Sequence, residues 1–170
     1  KELFTVGEYW TWNIESLKYY FKQCDYSMSL FDAPLHFNFF NASSSAGYYD
    51  MRKILYNTLL KENSKYAVTF VDNHDTQIGQ SLESWVQTWF KPLAYTFILT
   101  RQEGYPCIFF GDYYGIPEKG YAGIRKELDI IMNARKNYSY GIQHDYIDHH
   151  SVIGWTREGD CNHKNSGLAA

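Results

Sequence analysis

The chain has 170 residues, a net charge of −3 and an aromatic share of 19%. This length is sufficient for one domain with a hydrophobic core. Acidic and basic residues are interspersed, which excludes the basic patch typical of proteins that bind nucleic acid or anionic membranes. No apolar run reaches about 18 residues, so no membrane-spanning segment is predicted.

Three cysteines, Cys24, Cys107 and Cys161, are far apart and odd in number. A disulfide framework or a zinc site would require paired, closely spaced ligands, so we expect free thiols. Free thiols favour the cytoplasm over secretion. The chain starts at Lys1 without an initiator methionine and stops within an apolar run, so we expect a segment of a longer protein.

The first part of the chain alternates strand and helix patterns. Polar residues interrupt the apolar runs, and Asp50 is placed to cap a helix. The predicted elements are a strand over Leu3–Trp10, a helix over Asn13–Phe21, a strand and a partly helical segment over Met28–Phe40, a loop over Asn41–Gly47 and a helix over Tyr49–Leu60.

The same alternation continues beyond residue 66. Ser81 is a good N-cap for a long helical pattern, which Pro92 should kink or split and Gly104 should end. The predicted elements are a strand over Ala67–Val71, a helix over Ser81–Thr100, a strand over Pro106–Asp112 and a helix over Ile124–Arg135.

The pattern changes after Gly141, because Ser151–Asp160 indicates a strand and a turn without a helix. Before that point strand and helix alternate four times, which predicts a parallel sheet covered by helices, as in half of an eightfold barrel. We therefore predict an α/β unit over residues 1–140 and the start of a β-rich unit over residues 141–170. Half of a barrel leaves two strand edges unpaired, so we expect the isolated chain to dimerise or aggregate.

Three carboxylates, Glu8, Asp75 and Asp112, stand at the C-terminal ends of predicted strands. In a parallel barrel all such ends face one mouth, so Glu8 and Asp75 could share a site. Paired carboxylates are what glycoside hydrolysis requires. The alternative is a solvated loop residue for Glu8, and loop capping or fixing for Asp72 and Asp112.

Several segments resemble the liquefying bacterial α-amylases, within the α-amylase family of retaining glycosidases. The resemblance covers nearly the whole chain. It is carried by Val6–Trp10, Phe70–Asp75 and Gly104–Gly115, together with Gln80–Ser84 and Trp89–Tyr95.

The resemblance implies a (β/α)8 TIM barrel with a C-terminal β-sandwich, of which this chain would supply barrel strands five to eight and the opening of the sandwich. It implies that Glu8 is the general acid/base and that Asp75 stabilises the transition state. His74 would hydrogen-bond the sugar at the cleavage point, and the adjacent Asn73 would also contact substrate. Trp10 would be an aromatic platform for the neighbouring sugar, or would only pack the barrel mouth.

One part of the family pattern is missing from this sequence. The family's nucleophile is an Asp at the end of the fourth strand, in a motif with Arg and a second His, and no such motif occurs here. The double displacement requires a covalent acceptor. We therefore predict that the chain alone does not hydrolyse glycosidic bonds and requires the missing N-terminal half of the barrel.

The resemblance also implies calcium, whose main ligands lie upstream of this segment in the family. A second calcium site would take main-chain oxygens of Gly47, Tyr49 and His150, although the family's next ligand, an Asp, is replaced here by Ser151. The segment His144–His150 could independently bind a metal ion through His and Asp side chains. Hydrogen bonding at the junction between the two units is the alternative role.

The sequence thus predicts part of an enzyme that cleaves internal α-1,4 bonds of starch or glycogen with retention. Its partner would be an α-glucan or a maltooligosaccharide, without nucleic acid or membrane. A non-catalytic carbohydrate-binding half-barrel and an α-glucan transglycosylase are the alternatives.

Overall fold

The computed structural model describes residues 3–170. Four short strands form one parallel sheet in the order β1-β2-β3-β4, with Val6 opposite Ser29, Leu30 opposite Ala67, and Val68 opposite Tyr105. Because the spatial order follows the chain order, each helical connection returns the chain to the same end of the sheet. Within residues 3–170, β1 and β4 are each paired on one side only.

Helices alternate with these strands and continue after them. The elements of this unit are β1 Val6–Gly7, α1 Ile14–Gln23, β2 Ser29–Phe31, α2 Ala33–Ser44, α3 Leu59–Asn63, β3 Ala67–Phe70, α4 Lys91–Thr100, β4 Tyr105–Cys107, α5 Phe110–Tyr114 and α6 Arg125–Tyr138, with 3₁₀ turns at Met51–Lys53, Ser64–Tyr66 and Pro117–Lys119. The predicted parallel α/β arrangement is therefore observed. No helix among the described residues is long and apolar enough to cross a membrane.

Helix α1 forms where its sequence pattern predicts it. The Asn13 side chain accepts hydrogen bonds from the backbone N–H groups of Glu15 and Ser16, which satisfies two of the free donors at the helix N-terminus. Ile14, Leu17 and Phe21 are buried on its inner face. A helix over Asn13–Phe21 is thus confirmed, with its end two residues further on.

The helix predicted over Ser81–Thr100 is wrong in its first half, because α4 begins only at Lys91. Trp85 and Val86 are buried in a non-helical segment, and the Val86 backbone N–H donates to the Asp72 carboxylate at 3.3 Å. Pro92 lies in the first turn of α4, where its missing N–H costs nothing. Tertiary contacts therefore hold residues 81–90 out of the helix that their spacing favours.

Four further predictions differ from the structure. The strand predicted over Leu3–Trp10 is only Val6–Gly7, and the loop predicted over Asn41–Gly47 begins after Ser44, because α2 continues to that residue. Tyr49–Leu60 is not one helix: a 3₁₀ turn at Met51–Lys53, with Asp50 as its cap, precedes a separate α3. The strand predicted over Pro106–Asp112 ends at Cys107, and Asp112 lies in α5. Asp112 is fully buried and bonded to Lys91, so a long-range ion pair, rather than strand propensity, decides its position.

The last part of the described chain is an antiparallel sheet in the order β5-β6-β7, formed by Gln143–Tyr146, Gly154–Arg157 and Leu168–Ala169. It packs against the end of α4. The Trp155 indole N–H donates to the Thr100 hydroxyl at 2.9 Å, and the Arg157 guanidinium donates to the Thr100 carbonyl at 3.3 Å. The division at residues 140 and 141 stays a prediction.

Candidate active site

The candidate active site lies at the edge of the parallel sheet where the strands end. Glu8 directly follows β1 and is exposed, and Asp72–Asp75 follow β3 after Val71. Because β1 and β3 are both parallel neighbours of β2, their ends lie about 10 Å apart at the same edge. Glu8 and Asp75 are therefore brought to one side of the sheet despite their distance in the chain.

The loop that carries Asp75 is closed by its own hydrogen bonds. The Asn73 side-chain oxygen accepts from the backbone N–H groups of Asp75 and Thr76, each at 2.9 Å. The Thr76 hydroxyl accepts from the Asn73 N–H at 2.9 Å and donates to the Asp72 carboxylate at 2.7 Å. Asn73, predicted to contact substrate, thus uses its amide oxygen to shape the loop.

The tip of this loop reaches solvent. The side chains of His74 and Asp75 are 74% and 36% exposed, and His74 Nε2 lies 3.5 Å from Asp75 Oδ1. An imidazole and a carboxylate that are adjacent and open to water can contact a polar ligand without first breaking a buried interaction. This geometry is compatible with the predicted sugar contact of His74.

Trp10 lies at the same edge and packs on an aromatic cluster. Its ring centroid is 5.5 Å from those of His36 and Phe37 and 6.1 Å from that of Phe70. Trp10 is partly exposed. Both roles predicted for it, sugar platform and packing of the mouth, fit this position, and the packing contacts are observed.

Directly beneath the loop lies a buried ionic cluster that the sequence patterns did not reveal. Lys91, Asp72 and Asp112 are essentially inaccessible to solvent, and Lys91 Nζ donates to Asp72 Oδ2 at 2.7 Å and also to Asp112. The ammonium lies 3.1 Å from the centroid of the Trp85 ring. The predicted role of Asp72 and Asp112 in fixing loops at the mouth fits these contacts.

Hydroxyl groups complete the cluster. Tyr95 donates to Asp112 Oδ2 at 2.6 Å, and Tyr121 donates to Asp112 Oδ1 at 3.1 Å. One ammonium thus faces two carboxyl groups within this buried cluster. Burial, together with the charge of Asp112, raises the pKa of Asp72 to about 7, and Lys91 acts in the opposite direction.

A buried histidine links this edge to the helices. His36 Nδ1 lies 2.6 Å from the Val71 carbonyl oxygen and Nε2 lies 2.8 Å from the Ser84 hydroxyl. A carbonyl can only accept, so Nδ1 carries the proton. Burial lowers the pKa of His36 to about 4, which keeps the ring neutral near pH 7.

Asp32, which follows β2, joins two helix N-termini. Its carboxylate accepts from Leu35 N–H in α2 and from Leu59 and Leu60 N–H in α3, at 3.1, 3.1 and 2.7 Å. Asp32 is fully buried. The carboxylate therefore serves the structure at this edge and is not available to a ligand.

The residues expected to bind calcium do not form a complete site. Gly47 and His150 are exposed, and the His150 carbonyl already accepts from the Met51 N–H at 2.8 Å. Calcium requires six to eight oxygen ligands, often from carboxylates. The nearby Asp50 carboxylate is bound by Arg52 at 2.8 Å. These contacts leave the calcium coordination incomplete within residues 3–170, and Gly47, Tyr49 and His150 stay predicted ligands.

The His144–His150 segment makes junction contacts. His144 Nε2 lies 2.7 Å from Glu158, and Asp145 binds the buried Arg101 at 2.6 Å. No group of three or more His, Cys, Asp or Glu side chains in residues 3–170 is arranged to hold a metal ion. The observed contacts favour the hydrogen-bonding role.

All three cysteines are free thiols, as predicted.

No family model matches the chain. Several curated relatives match nearly all of it. The chain is 58% identical over 170 residues to the α-amylase of Geobacillus stearothermophilus, covering 100% of this chain and 31% of that protein. It is 52% identical over 169 residues to the glucan 1,4-α-maltohexaosidase of Bacillus sp. strain 707, covering 99% and 33%. It is 40% identical over 169 residues to the cytoplasmic α-amylase of Escherichia coli strain K12, covering 94% and 34%.

A solved structure supports the fold. The cyclic α-maltosyl-(1→6)-maltose hydrolase of Arthrobacter globiformis, in its ligand-free form, matches 93% of this chain and 40% of its own length. The TM-score is 0.54 at 17% identity, so this likeness concerns the fold alone. The chain spans about a third of the length of the curated relatives. The identity over the whole chain confirms the resemblance identified in the sequence: the chain corresponds to a segment of the bacterial α-amylases.

Proposed function

We propose that this chain forms part of an α-amylase that hydrolyses internal α-1,4 bonds of starch or glycogen with retention. It would supply barrel strands five to eight as β1 to β4, with residues 141–170 as the opening of a β-sandwich. One observation carries the proposal: the parallel order of the sheet brings Glu8 and Asp75 to the same edge. The whole-chain identity to named α-amylases supports the substrate class.

Each side chain of the site has a distinct task. Glu8 protonates the leaving glycosidic oxygen and later removes a proton from the attacking water. Asp75 stabilises positive charge on the sugar ring, and His74 and Asn73 orient that sugar, with Trp10 beneath its neighbour. The nucleophilic carboxylate comes from a segment outside this sequence, so the chain alone is inactive.

The remaining assignments follow from the same proposal. The ligand is an α-glucan chain or a maltooligosaccharide. Calcium, where the complete enzyme binds it, uses its main ligands outside this chain, and no step here depends on it. Three unpaired cysteines support a cytoplasmic location.

The experiment is a graft. Residues 1–170 replace the matching segment of the Geobacillus stearothermophilus α-amylase, and the graft enzyme is assayed on starch. Glu8→Gln should lower kcat by about 10²- to 10⁴-fold because the acid/base is lost. Asp75→Asn should lower kcat by about 10²- to 10³-fold because charge stabilisation is lost.

The control is Glu118→Gln, which alters an exposed carboxylate in the 3₁₀ turn at Pro117–Lys119. It should retain parental activity. Undiminished starch hydrolysis in Glu8→Gln or Asp75→Asn would contradict the assigned roles. Transfer products that persist at low substrate concentration would favour a transglycosylase instead.

A further inference from the structure

The buried ionic cluster is connected to the exposed tip of the candidate site by a continuous set of hydrogen bonds. Lys91 binds Asp72, and Asp72 accepts from the Thr76 hydroxyl at 2.7 Å. The same hydroxyl accepts from the Asn73 N–H at 2.9 Å, and Asn73 in turn accepts from the Asp75 N–H at 2.9 Å. The path from Lys91 to Asp75 therefore has no gap.

Burial differs sharply along this path. Lys91 and Thr76 are fully inaccessible and Asp72 is 1% exposed, whereas the Asp75 side chain is 36% exposed. A charge-assisted bond in a dry environment has few competing partners and is stronger than a neutral one. The inner end of the loop is consequently fixed, and only its tip meets solvent.

We propose that Lys91, acting through Asp72 and Thr76, is a positioning residue that holds Asp75 in its catalytic place. The ammonium fixes the Asp72 carboxylate, and that carboxylate orients the Thr76 hydroxyl. The hydroxyl then closes the turn whose third residue is Asp75. Catalytic groups tolerate only small displacements, and a shift of about 1 Å can cost about 10²-fold in rate. This inference rests on the proposed function.

Thr76→Val in the graft enzyme tests the path without removing a charge. It keeps the size of the side chain and deletes the hydroxyl that joins Asp72 to Asn73. We expect kcat to fall about 10- to 100-fold while KM changes less than about threefold. Thr76→Ser, which restores a hydroxyl, should recover most of kcat.

Thr100→Val is the matched control. Thr100 is also a buried threonine, and its hydroxyl makes two hydrogen bonds. It lies at the end of α4 opposite to Lys91 and is not part of the path to Asp75. A general loss of stability would affect both variants alike. The positioning role predicts that Thr100→Val lowers the melting temperature and leaves kcat at the parental value.

A double-mutant cycle tests Lys91 itself. If Lys91 acts through Thr76, Lys91→Met and the Lys91→Met/Thr76→Val double variant should have the same kcat within about twofold. Three results would each overturn the inference. Thr76→Val could keep the parental kcat, or Thr76→Val and Thr100→Val could lose kcat equally. The third is a double variant whose loss of kcat is the product of the two single losses. Asp75→Asn distinguishes failure of the proposed function from failure of the positioning role. A parental kcat in Asp75→Asn contradicts the proposed function. An inactive Asp75→Asn together with a fully active Thr76→Val contradicts only the positioning role.

Discussion

Asp72 and Asp75 are three residues apart, yet their environments are opposite. Asp72 is inaccessible and bound by an ammonium, a hydroxyl and a backbone N–H, whereas Asp75 projects to solvent beside His74. Glu8, at the end of β1, is exposed, and Asp75 is partly exposed. The same residue type therefore stabilises the fold where it is enclosed and is free to act on a ligand where it is open.

The largest expected effect on stability is that of Lys91→Met. It leaves Asp72 and Asp112 buried without a counter-charge, and breaking a buried pair in this way costs about 3–5 kcal/mol. Urea titration of the graft enzyme at pH 7.5 measures the free energy of unfolding. Lys126→Met, on the exposed face of α6, is the control and should remain near the parental value. Equal stability of the two variants would contradict the importance of the cluster.

The second prediction compares a buried histidine with an exposed one. The folded-state pKa of His36, about 4, lies below its unfolded value near 6.5. The neutral ring thus contributes stability above pH 6.5, and this contribution is lost as pH falls towards 4, up to about 3 kcal/mol in total. His36→Gln should flatten the decline of unfolding free energy across this range.

His74→Gln is the control for that pH series, because the His74 side chain is 74% exposed and remains in water. The difference between the two variants isolates the contribution of the buried ring. Urea titrations at four pH values are sufficient. If His36→Gln does not change the slope of unfolding free energy against pH, His36 takes up its proton without loss of the native contacts.

The smallest expected change in stability is that of Glu8→Gln and Asp75→Asn. Substitutions of exposed groups usually alter the free energy of unfolding by no more than about 0.5 kcal/mol. Both variants should therefore unfold at the parental urea concentration even though the graft enzyme loses activity. A clear loss of stability in either one would place that carboxylate with Asp72 among the structural groups.

Much of the parallel unit could be predicted from local patterns. Helix α1 has its cap, Asn13, and its apolar face in consecutive residues, so nothing distant is required to define it. The strand over Ala67–Phe70 is similarly marked by an apolar run, and all four of its residues are buried. Glu8 and Asp75 were predicted because each follows a predicted strand, although the strand before Glu8 is only Val6–Gly7 and is not buried.

The ionic cluster could not be predicted from local patterns. Lys91 stands in an apolar helical pattern, where periodicity alone does not distinguish a buried lysine from one whose ammonium reaches water. Its partners are 19 and 21 residues away in the chain. The same cluster explains why residues 81–90 are not helical, since Trp85 covers the ammonium and Val86 donates to Asp72. Errors of local prediction thus coincide with long-range electrostatic contacts.

Helix α4 has contacts of different kinds at its two ends. Lys91 begins it inside the ionic cluster, and Thr100 ends it against Trp155 and Arg157 of the antiparallel sheet. Ten residues of helix form a rigid rod of about 15 Å. Heat or force that detaches the antiparallel sheet would therefore loosen one end of this rod, and the amide protons of α4 should begin to exchange with solvent at the temperature at which the sheet melts.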